Sequence, residues 1–317
     1  WHVRAWGRWV LDRARRELAR FYPTYADFEP LDKVLPKPYE KQPMRLVPLR
    51  EDGTPDIDAL NTEFSEEYLR IKSNPRWVVK PTVAYLWART VACKNCRAVV
   101  PLLKTRWFCK KEKKRIILTM APNEDKSGVV FGIEATVPVK GDNAALRREN
   151  DKQIGGGTMS RSGVKCPCCG TIMTMEDIRL EGKAGRLGAV NTAVVVDGQK
   201  GKEYRLPTAH EIRMAGEADQ DIAGVFAGIP FGLPEEPLPS KEALGFRVPL
   251  YGFDQWQKLF TSRQLLSLGT FVKWTRSAAK ELAEQGCPPE WREGIANFLA
   301  LQIDKVADYN SLICTWH

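Results

Sequence analysis

The chain has 317 residues, 43% hydrophobic and 27% charged, with 48 Lys and Arg against 39 Asp and Glu for a formal net charge of +9. That is ordinary for a soluble globular protein of roughly two domains, and the basic excess suits a polyanionic partner. No apolar run approaches the ~20 residues needed to cross a bilayer, the start carries no cleavable signal pattern, and eight cysteines without one point to a reducing cytoplasm rather than a disulfide scaffold.

The chain opens on Trp1-His2-Val3 without Met and closes on Cys314-Thr315-Trp316-His317, so it is expected to be cut from a longer protein. Trp6, Trp9, Val10, Arg13, Ala14, Leu18 and Phe21 recur at helical spacing before Pro23, which predicts an amphipathic helix over 4–21. Residues 23–56, rich in Pro and charge, read as a long irregular connection. Leu60, Phe64, Tyr68 and Ile71 suggest a further helix over 57–72, and residues 78–91 form an apolar run.

That run meets Cys93-Lys-Asn-Cys96, and a second close pair follows at Cys166-Pro-Cys168-Cys169-Gly170. Two residues between cysteines let one tight turn aim both sulfurs at one ion, and two such turns complete a tetrahedral Cys₄ site, most often zinc. Gly170 lets its turn fold back without a Cβ clash. Ordinary buried thiols are the plain alternative, and a redox Cys-x-x-Cys needs no matching pair. The expected ligands are Cys93, Cys96, Cys166 and Cys169. Cys168 cannot easily share the geometry of its neighbour, and Cys109, Cys287 and Cys314 read as ordinary thiols.

Between the pairs lies a basic run: Lys104, Arg106, Lys110, Lys111, Lys113, Lys114 and Arg115 against one acid, Glu112, with Trp107 and Phe108 inside it. Bases attract phosphates and exposed rings can stack on nucleobases; a hairpin edge guarded by lysines has the same composition. Strands are expected at 115–120 and 129–137, joined by a turn-rich 123–128. The polar stretch 141–163, with Gly155-Gly156-Gly157, reads as a flexible loop, since a phosphate cradle needs a strand before it and a helix after. Gly182, Gly185 and Gly188 with Lys183 and Arg186 form a turn carrying surface bases or, alternatively, an anion-binding loop. Strands over 189–196 and 202–206 flank a turn at Asp197-Gly198.

Residues 216–249, with many Gly and Pro, read as a linker. Thr261-Ser-Arg-Gln264 fits a capping box; Leu265, Leu268, Val272, Ala279 and Leu282 continue it as a helix that Gly286 and Pro288-Pro289 stop. A second helix from about 290, with Ile295, Phe298, Leu299, Ile303 and Val306 inward, completes an antiparallel hairpin. The expected architecture is α+β: a Cys₄ zinc ribbon with β-hairpins, flanked by an N-terminal helix and a C-terminal helical hairpin, divided as 1–75, 76–215, a linker at 216–249, and 250–317. None of the histidines (His2, His210, His317) stands in a triad or ligand pattern, and no phosphate-binding or dinucleotide loop occurs.

Several segments together resemble the bacterial and archaeal adenine-specific DNA methylases that contain a zinc ribbon. They are Ala84-Tyr-Leu-Trp-Ala-Arg-Thr-Val91 before Cys93, Pro101-Leu-Leu103, Ser162-Gly-Val-Lys-Cys166 through Gly170, Glu181-Gly-Lys-Ala-Gly-Arg-Leu-Gly188, Tyr251-Gly-Phe253, Leu259-Phe-Thr-Ser-Arg-Gln-Leu265, and Asp308-Tyr-Asn-Ser-Leu-Ile-Cys-Thr-Trp-His317. The resemblance implies a parent enzyme that moves a methyl group from S-adenosylmethionine to an adenine amino nitrogen in DNA, after drawing the base from the stack. In such an enzyme the ribbon is expected to grip or position the duplex, a hypothesis that the basic run next to the knuckle motivates. The family's Asp-Pro-Phe-Ala-Gly-Gly and Asp-Pro-Pro-Tyr type segments do not occur here, so this chain is similar to the middle of such an enzyme and no catalytic residue is assigned. The first knuckle departs from the family, with a shorter spacing and Arg97 where glycine is usual. The alternatives are a ribbon-bearing nucleic-acid adaptor without chemistry and an insert that zinc merely staples.

Overall fold

The computed structural model describes residues 1–32, 38–199, 201–245 and 247–314, so His317 and the Thr315-Trp316-His317 end of the resemblance lie outside the described residues. In chain order the strands are β1 (Tyr25–Pro30), β2 (Arg45–Leu46), β3 (Pro75–Lys80), β4 (Thr82–Ala92), β5 (Val99–Pro101), β6 (Trp107–Lys111), β7 (Lys114–Pro122), β8 (Val129–Ala135), β9 (Met159–Ser160), β10 (Gly163–Lys165), β11 (Ile172–Met173), β12 (Gly188–Gly198) and β13 (Gly201–Arg205). The helices are α1 (His2–Leu18), α2 (Ile57–Asn61), α3 (Glu66–Arg70), α4 (Ala144–Ile154), α5 (Met175–Lys183), α6 (Ala209–Phe226), α7 (Lys241–Leu244), α8 (Ser262–Glu284) and α9 (Pro289–Asn310).

The strands form four small sheets, ordered β2-β1-β3, β13-β12-β4-β5, β6-β7-β8 and β11-β10-β9. Every pairing within them is antiparallel. β12 is the central strand: Asn191 to Val196 are buried without a break, the signature of a strand covered on both faces. The expected strands at 115–120 and 129–137 are β7 and β8, and those at 189–196 and 202–206 are β12 and β13.

The long helices α1, α6, α8 and α9 pack on one another, while α2, α4 and α5 pack on the sheets, giving an α+β molecule. The capping box at Thr261 forms as read, with Thr261 Oγ1 accepting from Gln264 N and Gln264 Oε1 accepting from Thr261 N. Gly286 at φ 75° ends the region after α8, and α9 packs back on α8. The N-terminal helix is not a separate flank. α1 lies against α8 and α9, with Val10 sharing a buried cluster with Ala278, Leu282, Ile295 and Leu299 and Lys273 Nζ pairing with Glu17 at 2.7 Å.

Three expected boundaries are corrected. The linker over 216–249 starts too early, because 216–226 belongs to α6. Met214, Ala218, Ile222 and Phe226 are a buried stripe at spacing four, and the last three pack on Leu265 and Leu266; Gly216 and Gly224 sit on the open side, where helical glycine costs little beyond propensity. The division at 75/76 cuts a sheet: β3 pairs along its length with β1, from Tyr25↔Lys80 to Pro30↔Pro75. So 23–56 is only partly irregular, because Trp77, 1% exposed, draws Ala26 and Val47 into a core of their own. The single helix over 57–72 is two short ones, capped by Asp56 and Ser65.

The flexible loop over 141–163 is also corrected. Asn143 caps α4 by accepting from Leu146 N, and the triple glycine after it is tightly packed. A Cβ on Gly155 would overlap the Trp107 indole, and one on Gly157 would overlap the Leu103 carbonyl. Gly157→Ala is therefore expected to destabilise by about 2–3 kcal/mol, since backbone cannot yield as a side-chain tip can. Urea unfolding at unchanged m-value measures it, and a loss below about 0.5 kcal/mol would restore the loop reading.

Candidate metal centre

Each cysteine pair sits in the loop of a hairpin. The first loop joins β4 to β5, whose last pair is Ala92↔Val99; the second joins β10 to β11, whose pair at the tip is Lys165↔Ile172. The two loops repeat one hydrogen-bond pattern. Cys93 N donates to Ala98 O at 2.8 Å and Arg97 N to Cys93 O at 2.9 Å; Cys166 N donates to Thr171 O and Gly170 N to Cys166 O, both at 2.9 Å. The fifth residue is left-handed in both, Arg97 at φ 64° and Gly170 at φ 77°. The missing glycine of the first knuckle thus leaves its turn intact, with a side chain carried in a conformation that costs about 1–2 kcal/mol.

The four sulfurs lie within 4.8 Å of one another. Cys93 and Cys169 are 3.7 Å apart, as are Cys96 and Cys166. A tetrahedron built on metal–sulfur bonds of ~2.3 Å has edges of ~3.8 Å, so the set needs only small adjustments to close on one ion. Cys93 and Cys166 are buried, Cys96 and Cys169 exposed. The inner pair rests on Val91, Ala98, Val100, Val164, Met173 and Ile178. Ile178 comes from α5, whose first turn carries Asp177 in a capping box with Thr174, and Lys94 of the first knuckle pairs with Asp177 at 2.8 Å.

The thiols are electrostatically uneven. Hydrogen bonds from Thr171, side chain then backbone, hold Cys169 down to about 5. A backbone hydrogen bond from Ala98 works to lower Cys96, but desolvation and the neighbouring thiols outweigh it and push Cys96 up to about 12; burial raises Cys166 as well. Sulfurs this close resist sharing more than one negative charge, and a soft dication supplies the charge that lets all four ionise. Cys168 lies beside the cluster but turns away, its Sγ 3.2 Å from Gly128 O. Cys109, Cys287 and Cys314 lie outside the cluster.

The basic run is divided by the fold. Lys104, Lys110, Lys111 and Lys113 are exposed, and Lys110 and Lys111 lead into the two-residue turn Glu112-Lys113 between β6 and β7. Arg106 is spent internally, donating to Gly156 O at 2.9 Å, Leu118 O at 3.3 Å and Ile154 O at 2.5 Å. Arg115, 7% exposed, grips Asp151 and donates to Val137 O at 3.0 Å. Lys114 Nζ donates to Lys202 O. Nor are the rings free: Trp107 is buried and donates from Nε1 to Asp151 O at 2.8 Å, and Phe108 stacks on Tyr204 at 5.3 Å. Arg106, Lys114, Arg115 and both aromatics are therefore withdrawn as surface contacts, because carbonyls and a carboxylate distant in sequence claim the three cations and Trp107, and the Tyr204 ring claims Phe108.

The glycine-rich turn after α5 resolves likewise. Arg186 pairs with both oxygens of Glu181 at 2.8 Å, and a Cβ on Gly182 or Gly252 would overlap the other segment's backbone. Gly182 and Gly252 thus serve close packing of the two segments, while Gly185 faces open space at φ 68°. Among the described residues no helix is long and apolar enough to cross a membrane. No protein-family model, no curated protein and no solved structure matches the chain.

Proposed function

We propose that the Cys₄ cluster holds a structural zinc and that the chain is the central, non-catalytic segment of an S-adenosylmethionine-dependent DNA adenine-N6 methyltransferase, with the β6–β7 tip contacting DNA. Convergence of four sulfurs from two matched hairpin loops carries the zinc reading. Thiolate-only donors and tetrahedral spacing favour zinc, and a closed Cys₄ set leaves no open position for chemistry. The metal's role is then to staple a unit whose core includes two of the ligand cysteines themselves. The methyltransferase reading rests on the resemblance of the quoted segments. S-adenosylmethionine would be held by flanking segments that this sequence lacks, so no residue here is given a chemical step.

Metal analysis of the purified chain should find one zinc per chain, released by strong chelators; a metal-free, fully folded chain would end the zinc reading. The DNA contact narrows to Lys104 and the hairpin tip. Replacing Lys110, Lys111 and Lys113 by Gln should lower the magnitude of the salt slope for duplex DNA by about 2.7, near 0.9 for each lost phosphate contact. An unchanged slope would rule the tip out.

A further inference from the structure

A cavity of about 700 Å³ lies between β3, β4 and the first turn of α8, with no cysteine in its wall. Its wall includes Arg263, a residue only 3% exposed. The Arg263 guanidinium carbon is 3.8 Å from the Tyr85 ring centre and 4.8 Å from that of Tyr22. Nη1 donates to Phe21 O at 3.1 Å. Among the described residues no carboxylate pairs with this cation, although a guanidinium cannot shed its charge and burying an unpaired charge is costly. Glu211, a buried acid whose charge reaches Tyr85 as that of Arg263 does, is already satisfied, because Arg205 binds both its oxygens at 2.7 and 2.8 Å.

Three further features point the same way. Arg263 is the second residue of a 23-residue helix with no acid in its first turn, so the positive end of the helix dipole adds to its field. The hydroxyls of Tyr85 and Thr82, both of which line the cavity, are buried; they face each other, yet neither meets hydrogen-bond geometry with any partner. Burial pushes the Tyr85 phenol up to about 12, so it keeps its proton and stays a donor. The remaining wall is largely apolar, with Ile57, Val79, Val83 and Trp87. The volume suits a small organic ligand rather than an inorganic ion.

We propose that this cavity binds a small organic monocarboxylate, its carboxylate on the free in-plane N–H groups of Arg263 and within reach of the Tyr85 and Thr82 hydroxyls, its apolar body against Ile57, Val79 and Trp87. Rings against the guanidinium leave its edge as the donor, the geometry that carboxylates accept. One cation balances one negative charge, which disfavours a phosphate dianion.

Calorimetric titration of the full chain with 3-phenylpropionate, 3-phenylpropionamide and phenyl phosphate tests this. The carboxylate should bind at least about tenfold more tightly than the neutral amide and more tightly than phenyl phosphate. Arg263→Gln should weaken it about tenfold or more, and Tyr85→Phe and Thr82→Val should each weaken it several-fold without loss of fold. Since Arg263 also holds Phe21, the two hydroxyl variants carry the test if Arg263→Gln does not fold. No binding of the carboxylate at about 10 mM overturns the proposal. Equal binding of the amide, tighter binding of phenyl phosphate, or indifference to both hydroxyl variants also overturns it.

Discussion

Cys169→Ser is expected to lower zinc affinity by more than about 100-fold and to unfold the knuckle unit while α1, α6, α8 and α9 stay folded. The position is chosen for its exposure. Serine there leaves no hole in the core, so the loss reports the metal and not packing, whereas Cys166→Ser, at 1% exposed, would confound the two. A structural zinc in a peptide site contributes about 10–16 kcal/mol in apparent terms. The buried cluster beneath the sulfurs counts the ligands Cys93 and Cys166 among its own members, whereas the two helical clusters meet on α8 without any cysteine in their buried set. Hydrogen exchange should show amides of 93–101 and 163–178 losing protection while those of α8 and α9 keep theirs. Retained protection in a variant shown to be metal-free would mean that side-chain packing alone holds the two loops together. A simultaneous loss across α8 and α9 would mean that the sheets and helices unfold as one.

The sulfur cluster was legible because its signal is local. Each Cys-x-x-Cys with its following left-handed residue closes one hairpin loop, so spacing alone reports which sulfurs point together. The same holds for the Thr261–Gln264 cap. What stayed hidden depends on partners far along the chain. Nothing near Arg106 announces that Gly156 O and Ile154 O will accept its hydrogen bonds, so a run of seven bases looks like a surface when three of its members are spent within the fold. The β1–β3 pairing joins segments about 50 residues apart, with prolines at its ends that read as loop. α6 was hidden by Gly216 and Gly224, yet its signal was present: Thr208-x-x-Glu211 is a capping box and the stripe from Met214 to Phe226 follows it. Arg263 gave no sign in sequence, because its meaning comes from two tyrosines, one in the 3₁₀-to-β1 connection and one in β4.

Glu211→Ala should cost about 3–5 kcal/mol in a urea unfolding experiment at neutral pH, a large effect for one side chain outside the candidate metal centre. Glu211 is fully buried and its carboxylate accepts three hydrogen bonds at once. It accepts from both terminal nitrogens of Arg205 at the end of β13, and from Thr208 N at 2.8 Å, which closes the cap of α6. Arg205 in turn lies over the Tyr25 ring at 5.1 Å, and Tyr25 bonds Thr208 through its hydroxyl at 2.8 Å. One carboxylate therefore ties two sheets to the helical layer. Truncation leaves Arg205 as a charge with 19% side-chain exposure and no counterion, the situation in which breaking a buried pair costs more than the pair itself contributes. Glu211→Gln separates the terms in part: its one carbonyl oxygen keeps an acceptor for Thr208 N, while the charge and one of the two acceptors for Arg205 are lost, and it should cost about half as much. Equal losses in the two variants would assign the whole effect to the ion pair, and a loss below about 1 kcal/mol in Glu211→Ala would show that the sheets and the helices are held together by apolar contact without it.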